Sequence, residues 1–450
     1  MKLWRKHLIL MLTIFLTLAS CDTARPSETQ APQVVLTLSA APTETQEPVE
    51  LVVWAEYFTQ EIMVSDPDGA GRYGWYLKEQ FEKEHPGVTV RIEYHGWDEA
   101  LRQNLFNALL AETAPDIVVG ENFFQPFAEI GALVPLDSVV ADVQDNLIPG
   151  TYEAAEYEGQ IYGLSAFTGV FGFERNCAVI EAAGLDCDAP PQTWDELLEH
   201  ARAINEKGAG EYYGYTLQGP AETYLGSVLR IAVFLNQAGA AICTNACTYP
   251  HFNNPQAIPV MEFLRELYRY TPPGLAFNPD EGQVYEQLFR GQSAYQIAGS
   301  WHPQWAKDTI CKDCRYSAVP LPSGGQPTTV VVGNVIYVVL KQSQHPELAA
   351  QWVKFLTRDD VQDLVFPTLG RLPSTRSALT RLHPSVDPAT QVFIDQLLYN
   401  ELAILPQWRQ DPDALWRIYN EMLTQVLTTE RPVPEILDEA QEAADEVMQP

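Results

Sequence analysis

The sequence is poor in positive charge. Only 28 of its 450 residues are Lys or Arg, against 59 Asp or Glu, so the formal net charge is −31. The phosphates of a nucleic acid would repel such a chain, and so would an anionic membrane surface, so nucleic acid is not an expected partner. Apolar residues nevertheless make up 46% of the chain, so it can bury sizeable cores.

Common signatures of catalysis are also missing. The sequence has no GxxxxGK[ST] loop, no GxSxG turn and no HExxH motif, and its eight His residues form no i, i+4 pair. Residues 69–74 match GxGxxG, but they follow the polar segment SDPD rather than a buried strand. We therefore expect no enzymatic activity, no cofactor and no metal. A secreted glycosidase or polysaccharide lyase, which needs two opposed carboxylates, is the enzyme alternative.

The N-terminal apolar run is too short to span a membrane. Residues 8–18 form an uncharged run of 11, whereas a span needs roughly 20. Three basic residues precede the run and Ala19-Ser20-Cys21 follows it, which is the layout of a secretory signal. We expect a signal peptide over residues 1–20. The polar segment 21–48, rich in Thr, Pro, Glu, Ser and Ala, is expected to be a flexible tether.

Cysteine is scarce, and its spacing is informative. Apart from Cys21, the six cysteines form three local pairs: Cys177 with Cys187, Cys243 with Cys247, and Cys311 with Cys314. Local disulfides are the simplest connectivity in an oxidising compartment. Two alternatives stay open. One is zinc binding by Cys243, Cys247 and His251 together with Cys311 and Cys314, and the other is a redox-active CxxC pair at 311–314.

Hydrophobic periodicity predicts an α/β fold. Strand-like runs at 51–54, 88–94 and 117–119 alternate with helical segments at 75–85 and 98–111, as in a parallel sheet covered by helices. Residues 328–340 (TTVVVGNVIYVVL) predict an almost continuous buried strand. Further helices are predicted near 194–206, 224–237, 257–269, 283–290 and 347–356, and over most of the last 60 residues.

A series of short segments carries a resemblance to a known family. They are 79–86 (EQFEKEHP), 88–94 (VTVRIEY), 97–98, 114–119 (APDIVV), 131–136 (GALVPL), 162–176 (YGLSAFTGVFGFERN), 183–185, 193–197 (TWDEL), 299–301 (GSW), 319–322 (VPLP) and 370–373 (GRLP). In this order they resemble the extracellular solute-binding proteins of ABC importers, in the sugar-binding group that includes maltose-binding protein. The tetrad at 18–21 (LASC) resembles the bacterial lipobox, in which the cysteine is acylated; an ordinary signal peptide with a chance cysteine is the alternative.

The resemblance implies a two-lobed α/β fold of the periplasmic-binding-protein type (type II), with a hinge and an interlobe ligand cleft. Lobe one would comprise residues 49–164 and 318–368, and lobe two 169–316 and 369–450, with crossovers near 165–168 and 316–320. Cys21 would carry the lipid (palmitate) that anchors the protein on the outer side of the membrane.

The resemblance also implies a function. The protein would capture a carbohydrate and deliver it to the permease subunits of an ABC importer, and it would contact the membrane only through its lipid. The expected state is a monomer. A sensor or adhesion lipoprotein with the same fold is the alternative.

A sugar site needs aromatic planes for the C–H faces of the sugar and carboxylates or amides for its hydroxyls. Such side chains lie at predicted strand ends and beside a helix start: Trp54, Glu56, Tyr57, Glu121, Asn122 and Trp97. The family alignment adds Phe167, Thr168, Glu222, Tyr224 and, as the stacking residue, Trp301. Asn334, Arg371 and Trp408 complete the set.

Several of these residues also have a structural interpretation. Trp54 and Trp97 could pack in the core, Glu121 and Asn122 could lie in a solvated loop, and Asn334 could bond only to backbone. The sequence departs from the maltose pattern around 221–224, so the resemblance does not imply malto-oligosaccharide specificity.

Overall fold

The computed structural model describes residues 48–55, 60–96, 98–120, 124–220, 225–244, 247–303, 311, 313–323, 325, 327–332, 335–404, 408 and 411–449. They belong to one compact unit. The expected signal peptide, Cys21 and nearly all of the expected tether therefore lie outside the described residues.

The described strands, in chain order, are β1 (Val49–Trp54), β2 (Val88–Glu93), β3 (Ile117–Gly120), β4 (Glu156–Tyr157), β5 (Gln160–Ile161), β6 (Gly163–Ser165), β7 (Phe167–Asn176), β8 (Tyr213–Tyr215), β9 (Cys243–Thr244), β10 (Tyr249–Pro250), β11 (Ser293–Gly299), β12 (Cys314–Ser317), β13 (Thr328–Val332), β14 (Ile336–Val339), β15 (Leu372–Pro373) and β16 (Glu401–Ile404).

The described helices are α1 (Gln60–Ser65), α2 (Ala70–Glu84), α3 (Asp98–Leu110), α4 (Gln125–Glu129), α5 (Asp137–Val140), α6 (Gly150–Glu153), α7 (Cys177–Ala182), α8 (Trp194–Gly208), α9 (Leu225–Gln237), α10 (Ala257–Tyr268), α11 (Glu281–Phe289), α12 (Pro346–Phe355), α13 (Asp359–Leu369), α14 (Arg376–Leu382), α15 (Pro388–Tyr399), α16 (Pro412–Thr428) and α17 (Val433–Val447). Short 3-10 turns lie at Gln144–Asn146, Leu275–Phe277 and His383–Ser385.

The first sheet has the strand order β2–β1–β3–β14–β6 and is covered on both faces. Its strands β1, β2 and β3 run parallel, as the alternating pattern predicts. Successive side chains of a strand point to opposite faces. Leu51 and Val53 accordingly pack with Trp352 of α12, whereas Trp54 packs with Leu105 of α3 on the other face.

The second sheet has the order β16–β13–β7–β11–β8, and β12 and β15 also pair with β7. The ten-residue strand β7 is buried along its whole length. Phe171 and Phe173 face a large apolar cluster that includes Tyr419 of α16. Val170 faces a smaller cluster with Phe393 of α15. The central strand therefore has apolar clusters on both of its faces.

The chain passes from one sheet to the other at three places. It leaves the first sheet after β6 and enters the second at β7, with only Ala166 between them. It returns between the end of β13 at Val332 and the start of β14 at Ile336. A third passage follows α13, which packs against α2, and leads into β15 beside β7.

The predicted strand over 328–340 is wrong in one respect, because it is two strands in different sheets. Residues 328–332 pair with β16 and β7, whereas residues 336–339 pair with β3 and β6. An apolar run indicates burial, but it does not indicate which sheet each half joins. The second crossover therefore lies between Val332 and Ile336 and not near 316–320, and residues 328–332 belong with the second sheet.

Local signals in the sequence account for other features. The Thr193 hydroxyl accepts a hydrogen bond from the Glu196 N–H and so caps the start of α8, the helix predicted near 194–206. Disulfides join Cys177 to Cys187, Cys243 to Cys247, and Cys311 to Cys314, which are the local pairs that the spacing favours. Sulfurs that are bonded to each other are not thiolate ligands for zinc.

The part of the chain that the structure describes lacks two features, a membrane-spanning helix and a metal-binding cluster. No helix within it is both long and apolar enough to cross a bilayer. The same residues contain no group of three or more His, Cys, Asp or Glu side chains arranged to hold a metal ion.

Candidate functional site

The carboxyl ends of the parallel strands meet where the two sheets are joined. In the first sheet, β6 runs in the same direction as β1 and β3, so all three end at one edge, from which the chain enters β7. In the second sheet, β11 and β13 run antiparallel to β7, so their last residues, Gly299 and Val332, lie opposite Phe171 and Gly169 in the first half of β7. Ligands of α/β sheets bind at such edges. The candidate site lies there.

Trp301 follows the end of β11 at this edge and is partly exposed. Its ring lies edge-on to Phe171 of β7, with ring centroids 5.9 Å apart. A Cβ atom built on Gly169 would come within 3.0 Å of the Trp301 ring, so the indole rests directly on the β7 backbone. A side chain at position 169 would therefore require the indole to shift by a few tenths of an ångström.

Arg371 places a positive charge over the same indole. Its guanidinium carbon lies 4.9 Å from the centroid of the Trp301 ring, within the range of a cation–π interaction. Arg371 stands between α13 and β15, in the third passage between the sheets. The structure thus brings together two residues that the sequence proposed separately.

Trp54 lies at the end of β1, but most of its ring is covered. The indole is 6% exposed, packs against α3 and stacks on His95 with ring centroids 3.9 Å apart. Burial lowers the pKa of His95, and the nearby Arg91 charge lowers it further. This packing agrees with the alternative interpretation of Trp54 as a core residue.

Three other candidates are buried. Phe167 packs into the apolar cluster of the first sheet, and Thr168 pairs with Leu372 in the strand ladder. Trp408 is 4% exposed and packs edge-on against Phe252, with centroids 5.5 Å apart. A ring that is enclosed by other core rings has little face left for a ligand, so the structure favours a packing role for Trp408 over sugar stacking.

The remaining candidates lie outside the described residues. They are Glu56, Tyr57, Trp97, Glu121, Asn122, Glu222, Tyr224 and Asn334. In the sequence, Glu56 and Tyr57 follow β1, and Glu121 and Asn122 follow β3, two strands that end at the candidate edge. The assignment of all eight as ligand residues stays a prediction.

One polar group near Trp301 was missed from the sequence. Glu174 of β7 is completely buried and accepts a hydrogen bond from His302, the residue that follows Trp301. The available signal was a carboxylate directly after the largely apolar run FTGVFGF, because a buried charge needs a partner. Its partners come from distant parts of the chain and could not be identified from the spacing.

The site therefore combines a partly exposed indole, a guanidinium on its face and a junction of two sheets. An indole plane suits the apolar face of a sugar ring, and a guanidinium can donate hydrogen bonds to hydroxyls. The described side chains here suit binding by stacking and hydrogen bonding.

Comparison with known proteins identifies the family. Residues 67–363 match the family described as bacterial extracellular solute-binding proteins. The match covers more than half of the chain, and the protein belongs to this family. Its members are binding proteins, in agreement with the expectation of binding rather than catalysis.

Individual relatives are more distant. A putative binding protein of Brucella abortus is 33% identical over 151 residues, which cover 33% of this chain and only 36% of that protein. A probable ABC transporter-binding protein of Deinococcus radiodurans is 22% identical over 75% of this chain and 82% of its own length. The diacetylchitobiose binding protein DasA of Streptomyces coelicolor is 21% identical over 72% of this chain and 76% of its own length.

Solved structures support the fold. The crystal structure of the cyclic alpha-maltosyl-1,6-maltose binding protein from Arthrobacter globiformis matches with a TM-score of 0.74 at 21% identity, covering 89% of this chain and 99% of that chain. The expected two-lobed α/β fold of the maltose-binding-protein type is confirmed by this likeness.

Proposed function

We propose that the protein binds a carbohydrate between its two lobes and delivers it to the permease subunits of an ABC importer. The observation that carries this proposal is the partly exposed indole of Trp301, under the Arg371 guanidinium, at the edge where the strand ends of both sheets meet. The names of the relatives add support, since one binds diacetylchitobiose and another is a probable ABC transporter-binding protein.

The proposed lobes follow the two sheets. Lobe one comprises residues 49–165 and 336–369, and lobe two comprises 167–332 and 372–449, with the hinge at the three passages between them. A ligand that contacts both lobes favours the closed arrangement by its extra contacts.

The proposed location is the outer side of the cytoplasmic membrane. The basic segment, the short apolar run and the sequence LASC support cleavage before Cys21 and its lipidation. The Thr- and Pro-rich segment that follows would let the folded part reach a permease while the lipid stays in the membrane. Mass spectrometry of the membrane fraction tests this, since a diacylglyceryl group on Cys21 is expected.

The ligand class is tested by thermal unfolding of residues 49–450 with mono-, di- and oligosaccharides, and with amino acids and polyamines as controls. A ligand at about 100 times its Kd adds about 2.7 kcal/mol to the free energy of unfolding, so the midpoint rises clearly. We expect a rise with one class of carbohydrate.

Two tryptophan variants make this test specific. Trp301→Ala should lose the ligand-dependent rise, whereas Trp408→Phe should lower the midpoint of the free protein but keep the rise. A rise with amino acids or polyamines alone would refute the carbohydrate proposal. No rise with any solute would favour the sensor or adhesion alternative.

A further inference from the structure

We infer that Glu174 is a positioning residue, which holds Trp301 in its ligand-binding orientation through His302 without touching the ligand. The inference rests on the proposed function for the role of Trp301 in binding. The contacts among the three residues do not depend on that function.

The carboxylate of Glu174 is enclosed by three donors. It accepts hydrogen bonds from Gln296 Nε2 at 2.6 Å, from His302 Nδ1 at 3.0 Å and from the Tyr316 hydroxyl at 2.5 Å. Neither the Glu174 nor the His302 side chain is exposed. A buried carboxylate is costly unless such donors satisfy it, so each of the three donors stabilises the buried Glu174 charge.

Two of the donors are fixed by strand pairing. Gln296 of β11 and Tyr316 of β12 lie directly opposite Glu174 on the two sides of β7. His302 differs from these, because it follows β11 after Ser300 and Trp301 and reaches back to the carboxylate. The His302–Glu174 contact therefore ties the segment that carries Trp301 to the central strand.

The imidazole of His302 is held on its other sides by aromatic rings. Tyr285 lies edge-on at 4.5 Å between centroids, and Phe289 lies at 5.7 Å. Because an ionised carboxylate only accepts hydrogen bonds, the Nδ1 atom of His302 carries the hydrogen in this contact. The ring thus has one orientation, and the peptide unit of the adjacent Trp301 is fixed with it.

Tyr316 binds the same carboxylate, but among the described residues it makes no hydrogen bond or ring contact to residues 300–302. Burial raises the pKa of its phenol, as does the adjacent Glu174 charge, so the hydroxyl stays a proton donor. Its ring packs against Phe393, at 5.7 Å between centroids, on the side of α15. Removing this hydroxyl takes one donor from Glu174, as removing His302 does, yet it leaves the contact between His302 and Glu174 in place.

The decisive comparison is between His302→Leu and Tyr316→Phe, since each removes one donor from the same carboxylate and keeps an apolar body. Fluorine NMR of protein with 5-fluorotryptophan reports on Trp301 without any ligand, and its signal is assigned by its loss in Trp301→Phe. We expect the signal to shift and broaden in His302→Leu and in Glu174→Gln. It should stay unchanged in Tyr316→Phe.

Ligand affinity provides the second readout. With the carbohydrate that stabilises the wild-type protein, Kd should rise at least tenfold in His302→Leu and Glu174→Gln, and less than twofold in Tyr316→Phe. His302→Asn, whose amide can donate from nearly the Nδ1 position, should restore most of the affinity. In a Trp301→Ala background, Glu174→Gln should change Kd less than twofold.

An unchanged Trp301 signal in His302→Leu would overturn the inference, and so would an equal loss of affinity in Tyr316→Phe, which would indicate general loosening. If Glu174→Gln does not fold, His302→Leu alone decides. If the wild-type protein binds no carbohydrate, the proposed function fails, and the fluorine signal still decides whether Glu174 positions Trp301.

Discussion

At the scale of single residues, aromatic side chains were the hardest to assign from the sequence. Trp301 and Trp408 carry the same side chain and were both candidates for stacking on a sugar. Trp301 lies at the edge between the sheets, whereas Trp408 is enclosed by core rings. Indole rings suit a sugar face and an apolar core equally well, so only the fold separates the two roles. The resemblance to a family identified Trp301 because it supplied that fold.

The titration of His200 yields a test at the same scale. Its Nδ1 atom lies 3.0 Å from the Tyr295 hydroxyl, and burial lowers the pKa of His200, although Glu196 and Glu199 act in the opposite direction. The unfolded chain therefore binds this proton at a higher pH, near 6.5, than the folded protein does. The stability that neutral His200 contributes is complete above about pH 6.5 and is lost as the pH falls.

Urea midpoints at pH 7.5 and pH 5.0 measure this effect. The wild-type midpoint should fall more between the two pH values than that of His200→Gln, whose side chain can still accept from Tyr295. Part of the fall should remain in the variant, because the pKa of His95 is also lowered by burial. Equal falls in both proteins would contradict the assignment.

At the scale of elements, periodicity predicted many of the helices and the strands β1, β2 and β3, but it missed β7 and β11 and failed where the chain changes sheets. The segments at 88–94, 98–111 and 257–269 correspond to β2, α3 and α10 within one residue or so at each end. The run at 328–340 does not correspond to a single strand. Because both faces of these strands are buried, the run lacks the alternation of apolar and polar residues that would mark the boundary between β13 and β14. The long-range pairing of β13 with β16 has no local signal in the sequence.

The buried side chain of Gln362 ties two of the passages between the sheets to each other. Its amide nitrogen donates to the Ala166 carbonyl at 2.8 Å and to the Leu356 carbonyl at 2.7 Å. Its oxygen accepts from the Ser374 N–H at 2.7 Å and from the Ser374 hydroxyl at 3.1 Å. Ala166 lies in the first passage, and Ser374 lies directly after the third.

Gln362→Leu should lower the free energy of unfolding by about 3 kcal/mol, because it leaves buried backbone groups at 166, 356 and 374 without their partner. Urea unfolding measures the change. Gln344→Leu is the matched control at an exposed site, and it should change stability by less than about 0.5 kcal/mol. A loss for Gln362→Leu no larger than the control would refute the role of Gln362.

At the scale of the whole molecule, the two sheets joined by three passages form the basis of the proposed ligand capture. The two-lobed class was predictable from the ordered family segments, since they occur on both sheets. The position of the second passage was not predictable from the sequence. The strand β13 of the second sheet and the strand β14 of the first sheet belong to one apolar run.

Small-angle X-ray scattering tests whether a ligand draws the lobes together. The radius of gyration should fall when the stabilising carbohydrate is added, since a ligand that contacts both lobes favours the closed form. Trp301→Ala at the same carbohydrate concentration should show a smaller fall. Saturated binding with an unchanged radius of gyration would mean that the ligand is held by one lobe alone.

The most direct test of the account is a crystal structure of residues 49–450 with the carbohydrate that gives the largest thermal shift. The account predicts density for a sugar ring against the Trp301 indole, at the edge where the strand ends of both sheets meet, with protein contacts from both sheets. An ordered carbohydrate bound elsewhere, with Trp301 free of contact to it, would contradict the proposed site.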